Sequence, residues 1–570
     1  MLTGEINENE LNEKILSNEG GTSKKSLIII LSLTIGCILF IIITLLIISL
    51  NSDKSDKSDK SDESDKSDKS DFINTMSLKY TPKNKGEIQL FNKKYINLIS
   101  SVKVDGETIS NFTNKYSFNS TNEHNIELMI KNELDTMDQM FKGCSDLIEI
   151  DLSKIETKNI KNMSEMFYDC NNLISIKFGK FNTENVVNMN NLFRGCFYLN
   201  STDVNNLDTS NVKDMKYMFY QCYALKSLEL KNFNFQNVKE IKGMFYKCRS
   251  LTSIDLGNNF ITSKVTDISE LFAGCESLTK IKYNNLDTSK VTNMYNVFFN
   301  CFKLTSIDLS KFKTSNVINM NGLFQGCSGI TSFNLKTFDT SKVEDMSHMF
   351  DSCSSIKSID LSNIDTSKVK YMNQMFCRCI SIESFDFSKF NTSQVINMEG
   401  MFDFCSKLKN LNLSTFDTSK VTDMSYLFAA SSKLISIDLS NFNTEKVKNM
   451  NNMFYGCYSL KDLNLASFRT PNLESMWLMF NECKSIKSLN LSSFTTIKTY
   501  NMGAVFSKCY NLTILDISNF DSSALKSKET NLFPDINING TIYFNSDKFD
   551  ENLLINNNIK YWDQIDVKDL

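Results

Sequence analysis

The cysteines of this 570-residue chain follow one another at a fixed spacing. Counted back from Cys509, the spacing is 26 residues, with one slip of a single residue and one gap, which Ser431 fills. The members of the series are Cys144, Cys170, Cys196, Cys222, Cys248, Cys275, Cys301, Cys327, Cys353, Cys379, Cys405, Cys457, Cys483 and Cys509. A period between roughly 20 and 50 residues is the signature of stacked repeats, in which each unit buries its apolar face against its neighbours. The spacing therefore predicts about fifteen units over residues 134–525.

The apolar residues of each unit have two different periods, as the unit 416–440 shows. Met424, Leu427, Phe428 and Ser431 stand at i, i+3, i+4 and i+7, which is one face of an α-helix. Asp423 precedes this run and is a suitable N-cap, because its carboxylate can accept an exposed amide of the first turn. The pattern predicts one short helix in each unit.

A short strand is predicted to follow that helix. Ile437 and Leu439 flank Asp438, so that the two apolar side chains point inward and the carboxylate points outward. Consecutive strands are reached through a crossover and must be parallel, about 4.8 Å apart.

The motifs LISIDLSNF and LTSIDLSKF, followed by DTSKVTDM and then MFxxC, resemble the 26-residue repeat of the BspA-like leucine-rich repeat family. The resemblance implies an α/β fold: a leucine-rich-repeat-like solenoid, or horseshoe, with a parallel β-sheet on the concave face and short helices outside. It also implies a surface protein used in adhesion or recognition, with no enzymatic activity.

An uncharged apolar run over residues 27–50 is long enough, as a helix, to cross a hydrocarbon core of about 30 Å. A cleaved signal peptide is the less favoured alternative, because its apolar region would be about 7–15 residues long. The predicted organisation is a cytoplasmic tail at 1–25, a transmembrane helix at 26–50, a low-complexity SDK stalk at 51–71, a small β N-terminal cap at 72–133, the repeats at 134–525 and a C-terminal cap at 526–570.

Two signals disagree about the orientation of this span. Lys24 and Lys25 favour a cytoplasmic N-terminus, whereas the lysines of the stalk favour the opposite orientation. All nine sequons lie downstream of the span, which favours an extracellular repeat domain. These candidate glycosylation sites are Asn111, Asn119, Asn162, Asn200, Asn391, Asn412, Asn490, Asn511 and Asn539. We therefore predict a single-pass protein of the cell membrane, with an intracellular membrane-tethered scaffold as the alternative.

The cysteine series and the phenylalanines in step with it are predicted to be core. Helices of neighbouring units would lie about 8–10 Å apart, beyond the Cα reach of about 4.4–6.8 Å that a disulfide needs. Ser431 in the gap indicates that the position requires a small side chain. No metal site and no cofactor are predicted, because His124 and His348 lie outside any CxxC motif.

The outward residue of each strand provides the candidate ligand-binding surface on the concave face. Its carboxylates are Asp151, Asp203, Glu229, Asp255, Asp308, Asp360, Asp386, Asp438 and Asp516. Asp203, Glu229 and Asp255 follow one another in successive units, so their repulsion would favour calcium or a cationic ligand. The consensus-like repetition of the units favours the alternative, a solvated face without a ligand.

These features predict a membrane-anchored recognition or adhesion protein that binds an extracellular protein or glycan, and they define no oligomeric state. A net charge of -4 without a basic stripe argues against nucleic acid. A carbohydrate-active enzyme is a remote alternative, because paired carboxylates can hydrolyse glycosidic bonds. The acids recur in near-identical surroundings, however, whereas catalysis needs one distinctive pocket, so no catalytic residue is assigned.

Overall fold

A computed structural model of the protein describes residues 74–131, 134–526, 531–537, 539–555 and 558–569, all within one compact unit. The predicted cytoplasmic tail (1–25), transmembrane helix (26–50) and stalk (51–71) lie outside the described residues. Within the described ranges, no helix has the length and apolar character needed to cross a membrane.

The regular secondary structure of the described residues is mainly short strands, joined by turns. The strands are β1 (Thr75–Tyr80), β2 (Gly86–Gln89), β3 (Ile99–Val104), β4 (Glu107–Thr108), β5 (Lys115–Phe118), β6 (His124–Ile130), β7 (Leu147–Lys154), β8 (Ser175–Lys177), β9 (Ser227–Glu229), β10 (Ser253–Asp255), β11 (Lys280–Lys282), β12 (Asn410–Leu411), β13 (Ser436–Ile437), β14 (Asp462–Leu463), β15 (Ser488–Asn490), β16 (Ile514–Asp516), β17 (Thr541–Phe544) and β18 (Asp563–Asp566). The helices are α1 (Asn552–Ile555) and 3-10 turns at Lys93–Tyr95, Val204–Asn206, Asn558–Tyr561 and Val567–Asp569.

The N-terminal strands form a sheet that continues into the repeats. Its order is β4-β3-β6-β1-β7-β8, and β1 pairs antiparallel with both β6 and β7. Asp105 and Gly106, with φ of 51° and 89°, make the tight turn between β3 and β4. Pairing with β1 covers the edge of β7, which is the first strand of the repeats and would otherwise expose unpaired backbone groups.

The repeats stack as coils whose strands run parallel. Apart from the antiparallel pair β2-β5, three further sheets are described, with the orders β11-β10-β9, β12-β13-β14 and β15-β16-β17-β18. Ile254 pairs with Leu228 in the preceding coil and with Ile281 in the following one, so equivalent residues are neighbours. The sheet that begins in the last repeats extends through β17 and β18, within the residues predicted as the C-terminal cap.

The prediction of a helix in every unit is wrong. The segment from Met424 to Ser431 is a run of tight turns, and the only α-helix among the described residues is α1, outside the repeats. The amides of Leu427 and Ser431 donate to carbonyls three residues back, at Met424 and Phe428, as in β-turns and not as in an α-helix. Asp423 still caps the segment, because its Oδ1 accepts the Ser425 amide at 2.8 Å.

Alternate amides of this segment bond to the next coil. The amides of Met424 and Phe428 donate to the carbonyls of Asn449 and Met453, at 3.0 Å each. Tyr426, with φ 55°, has the left-handed conformation that lets the chain turn repeatedly without coiling into a helix. Successive turns bring a side chain back to the core every three or four residues, which is the spacing that also predicts a helix.

Sixteen phenylalanine rings form a continuous stack from Phe141 to Phe533, one more than the predicted number of units. Adjacent ring centroids are between 5.3 and 6.1 Å apart. We number the coils 1 to 16 by these rings, which are Phe141, Phe167, Phe193, Phe219, Phe245, Phe272, Phe298, Phe324, Phe350, Phe376, Phe402, Phe428, Phe454, Phe480, Phe506 and Phe533. All are buried, which confirms their prediction as core.

The cysteine series is buried as free thiols, as predicted. The Cys301 Sγ donates to the Phe272 carbonyl of the preceding coil at 3.3 Å, and burial raises the pKa of this thiol to about 12. Ser431 makes the equivalent hydrogen bond to Phe402, at 2.8 Å. The cysteine position thus requires a small side chain that can donate a hydrogen bond to a carbonyl of the preceding coil.

Candidate ligand-binding face

One residue in each of coils 1 to 15 lies on the strand side of the coil, and together these residues form what we call the strand row. Its members are Asp151, Lys177, Asp203, Glu229, Asp255, Lys282, Asp308, Asn334, Asp360, Asp386, Asn412, Asp438, Asn464, Asn490 and Asp516. All of them are exposed or half-buried, so their predicted outward orientation is confirmed. Where the coil forms a strand, the outward orientation follows from the strand's alternation, since the flanking apolar residues are buried or half-buried.

Most acids of the strand row are fixed by the turn that follows them. The Oδ1 of Asp308 accepts the Ser310 amide at 3.0 Å and the Ser310 hydroxyl at 2.6 Å. Asp360 accepts the same two groups from Ser362, at 3.1 and 2.7 Å. These hydrogen bonds hold the pKa of Asp308 and of Asp360 below the usual range, because they favour the charged carboxylate.

In the first coils the acids are neutralised by lysines. The Lys177 Nζ lies 2.8 Å from Asp151, the Lys231 Nζ lies 2.9 Å from Glu229, and the Lys282 Nζ lies 3.1 Å from Asp255. Lys177 and Lys282 are themselves members of the strand row. The ion pairs relieve the repulsion that the sequence predicted for this part of the face.

The predicted cluster of Asp203, Glu229 and Asp255 is only partly brought together. Asp255 and Glu229 are direct partners in the parallel pairing of β10 with β9. Asp203, by contrast, precedes the 3-10 turn Val204–Asn206 with φ -88° and ψ 59°, outside any strand, and its Oδ2 accepts the Asn206 side-chain amide. The coil that contains Asp203 therefore interrupts the sheet between β8 and β9.

The later coils hold four exposed strand-row acids whose second carboxylate oxygen accepts no hydrogen bond from any described residue. We call Asp308, Asp360, Asp386 and Asp438 the acid quartet. Each uses its Oδ1 to accept an amide two residues later, and each is exposed. The quartet thus offers fixed and ionised carboxylates, whereas the acids of coils 4 and 5 are paired with lysine.

A groove of about 570 Å³ lies where the N-terminal sheet meets the first coils. Among its lining residues are Lys79, Glu127, Glu149, Asp151 and Lys177. The Lys79 Nζ lies 3.1 Å from Glu149, and Lys177 pairs with Asp151, so the charges of the groove are largely compensated. In the described parts of the chain, no group of His, Cys, Asp or Glu side chains is arranged to hold a metal ion.

The predicted glycosylation sites differ in accessibility. Asn162 is half-buried and its side chain caps a turn by accepting the Ser164 amide at 3.0 Å. The exposed sites are Asn111, Asn119, Asn200, Asn391, Asn412, Asn490, Asn511 and Asn539. Asn412 and Asn490 belong to the strand row, so a glycan attached to either would cover part of that face.

Two features of the repeat were not recognised in the sequence. The first is the threonine of the motif DTSK, which is buried in thirteen coils and joins neighbouring coils through its hydroxyl. The Thr314 Oγ1 donates to the Asp339 carbonyl at 2.9 Å and accepts the Asp339 amide at 2.8 Å. The recurrence of Thr at one position was the available signal.

The second unrecognised feature is the pairing of strand-row acids with lysines. These lysines are 26 or 27 residues away, or two residues away in the case of Lys231.

A stack of parallel coils, with one outward side chain per coil on the strand side, defines a leucine-rich-repeat-like solenoid. The protein class is a repeat protein whose exposed face is built from many small, equivalent contributions. The chain belongs to the family described as "Mycoplasma protein of unknown function, DUF285", whose model matches residues 135–257, 250–335, 329–434, 379–494 and 451–570. The resemblance to BspA-like leucine-rich repeat surface proteins is thereby confirmed.

Solved structures with a similar fold include two bacterial repeat proteins. A leucine-rich cell surface protein of Faecalibacterium prausnitzii is 17% identical, with 70% of this chain and 84% of that chain covered and a TM-score of 0.30. A leucine-rich repeat protein of Eubacterium ventriosum is 15% identical, with 55% and 85% covered and a TM-score of 0.29. No curated protein sequence matches the chain.

Proposed function

We propose that this chain is a membrane-anchored recognition or adhesion protein of the cell surface. It is held by the apolar run at 27–50, and its repeats bind an extracellular protein or glycan. Family membership supports a role in surface recognition, because the repeats match a surface-repeat family over residues 135–570. No enzymatic step is part of the proposal.

The observation that carries the proposal is the strand row. It presents one polar side chain in each of coils 1 to 15, and in coils 11 to 13 parallel strand pairing fixes the backbone beside that side chain. The acid quartet adds ionised carboxylates that are already oriented by hydrogen bonds, which lowers the ordering cost of binding. Affinity arises from many weak contacts made together.

The proposed topology predicts that the repeats are glycosylated and accessible from outside. In a eukaryotic secretory host, we expect enzymatic removal of N-glycans to increase the electrophoretic mobility of the chain, because eight sequons are exposed. Antibody against the repeats should label intact cells. The matched control replaces Asn by Gln at those eight positions, which should abolish the mobility shift and leave the labelling. Absence of both signals would place the repeats inside and contradict the proposal.

The acid quartet is expected to carry much of the ligand contact. Changing Asp308, Asp360, Asp386 and Asp438 to Asn keeps the turn hydrogen bonds at Oδ1 and removes four negative charges. We expect adhesion of cells that display the variant to immobilised matrix proteins and glycans to fall about tenfold or more. The measurement is the fraction of cells retained under flow.

A control pair with the same local geometry lies off the strand row. Asp339 and Asp417 also accept a serine amide two residues later, at 3.0 and 2.9 Å, and both are exposed. Changing both to Asn should leave adhesion unchanged. Equal adhesion of the quartet variant and the wild type would contradict the assignment of binding to the strand row.

A further inference from the structure

A second distinctive surface lies on the turn side of coils 3 to 5, away from the strand row. It is formed by residues 190–198, 216–224 and 242–250, which we call the turn-face strip. These three segments contain five cationic residues and no carboxylate, and Asp214 and Glu240 border them two residues before Lys216 and Lys242. The cations are Arg194, Lys216, Lys242, Lys247 and Arg249.

The neighbouring coils have acids on the same side. Coil 2 has Glu165 and Asp169, and coil 6 has Glu270 and Glu276. Two of them reach the strip. The Arg249 Nε lies 3.2 Å from the Glu276 carboxylate, and a Cβ on Gly195 would lie 2.3 Å from the Asp169 Oδ1. The other four cations of the strip make no ion pair with any described residue, so the strip is a local concentration of positive charge in an overall acidic chain.

The cations are interleaved with stacked aromatic rings. The Arg194 guanidinium lies 5.3 Å from the Tyr168 ring centroid and 4.3 Å from that of Tyr220. Tyr220 in turn stacks on Tyr246 at 4.7 Å, and the Lys247 ammonium lies 5.1 Å from the Tyr246 ring. One continuous column therefore runs from coil 2 to coil 5.

A second column runs beside the first. Phe197 stacks on Tyr223 at 4.9 Å, and the Arg249 guanidinium lies 4.8 Å from the Tyr223 ring. Tyr217 is held against coil 5, where a Cβ on Gly243 would lie 2.4 Å from the Tyr217 ring. The side chains of the strip are thus ordered before any partner binds.

The stacking determines which groups face the solvent. The two ring faces of Tyr220 are covered by Arg194 and Tyr246. Those of Tyr223 are covered by Phe197 and Arg249. Nucleobases bind aromatic side chains through exposed ring faces, and these faces are occupied. What remains accessible is the edge of each column, with phenol hydroxyls and the N–H groups of the cations, and Tyr198, which is 59% exposed. Such donors match carboxylates.

We propose that the turn-face strip is a docking surface for an acidic segment of a partner protein. Tyrosine and arginine are the residues most enriched at the energetic centres of protein interfaces. Their preorganised stacking reduces the entropy cost of binding, and the cations complement a run of Asp or Glu. The strip is separate from the strand row, so this proposal does not depend on the function assigned to the acid quartet.

The test uses the full-length chain purified in detergent and a short fluorescent oligoglutamate peptide as the probe. We expect the wild type to bind the peptide with an affinity that falls as salt is added. The variant with Arg194→Gln and Lys247→Gln should bind at least about tenfold more weakly. A second variant, Lys216→Gln with Lys242→Gln, changes cations outside the two columns and should also weaken binding without disturbing the rings.

Two controls define the outcome. Lys484→Gln, in coil 14, removes an ammonium that lies 4.4 Å from the Tyr458 ring and should leave peptide binding unchanged, as should the Asn variant of the acid quartet. Equal peptide affinity of the wild type and both strip variants overturns the proposal, as does the absence of peptide binding. Strip-dependent binding of a heparin oligosaccharide or single-stranded RNA, but not of the peptide, also overturns it.

Discussion

Replacing Phe324 by alanine is expected to lower the free energy of unfolding by about 3–5 kcal/mol. The ring is fully buried and stacks between Phe298 and Phe350, with centroids 5.8 Å away on each side. It also contacts Phe333, whose centroid is 4.4 Å away. Alanine removes all these contacts, and the fixed coil spacing prevents the backbone from collapsing into the cavity.

The same substitution is expected to divide the unfolding transition. In a solenoid each coil contacts only its neighbours, so a weak interface at coil 8 uncouples the coils on either side. Chemical denaturation should then show two transitions, and hydrogen exchange should reveal different protection before and after coil 8.

The matched control is Phe404→Ala, in coil 11. Phe404 is 46% exposed and lies at a left-handed turn position outside the ring stack, so its loss should cost less than about 1 kcal/mol. A single unshifted transition for the Phe324 variant would show that the ring stack does not couple the coils.

The coil stack and its core could be predicted because each follows from the period of the sequence. Parallel strands are the only arrangement that joins equivalent residues such as Leu228 and Ile254 across successive coils. The ring stack follows in the same way, because Phe recurs in step with Cys. The outward orientation of Asp438 required only the alternation of a strand.

The predicted helices failed because side-chain spacing does not specify where backbone hydrogen bonds go. Met424, Leu427 and Phe428 have helical spacing, yet alternate amides of this segment bond to the next coil. Residues in the left-handed conformation, such as Tyr426 and Ala430, permit this path. Because non-glycine residues occupy many of these positions, glycine did not mark the turns in the sequence.

The outward position of the strand row could be predicted from the sequence, but the pairing of its acids with lysines could not. Lys282 is 27 residues from Asp255, and only the lateral register of the coils brings the two side chains together. The interruption of the sheet at Asp203 could not be predicted either, because a 3-10 turn begins there although the sequence pattern predicts a strand. The turn-face strip was not predicted from the sequence for a further reason. The net charge of -4 is a sum over the whole chain, so it does not show a local excess of cations.

Replacing Thr314 by valine is expected to destabilise the protein by about 2–4 kcal/mol, although the two side chains have nearly the same shape. The Thr314 hydroxyl binds both the amide and the carbonyl of Asp339 in the next coil. Valine leaves these two backbone groups without their partner, beneath a residue 314 that is 1% exposed. An unpaired buried polar group costs about 1–3 kcal/mol, more than the hydrogen bond itself contributes.

Two control variants separate the hydroxyl from the volume of the side chain. Thr314→Ser retains the hydroxyl and loses one methyl group, so it should cost only about 1 kcal/mol. Thr305→Val, at an exposed position of the preceding coil, should be nearly neutral. Chemical denaturation gives the free energies, and hydrogen exchange at the Asp339 amide reports the lost bond directly. Equal stability of the valine and serine variants would mean that shape, and not the paired hydrogen bonds, selects threonine in thirteen coils.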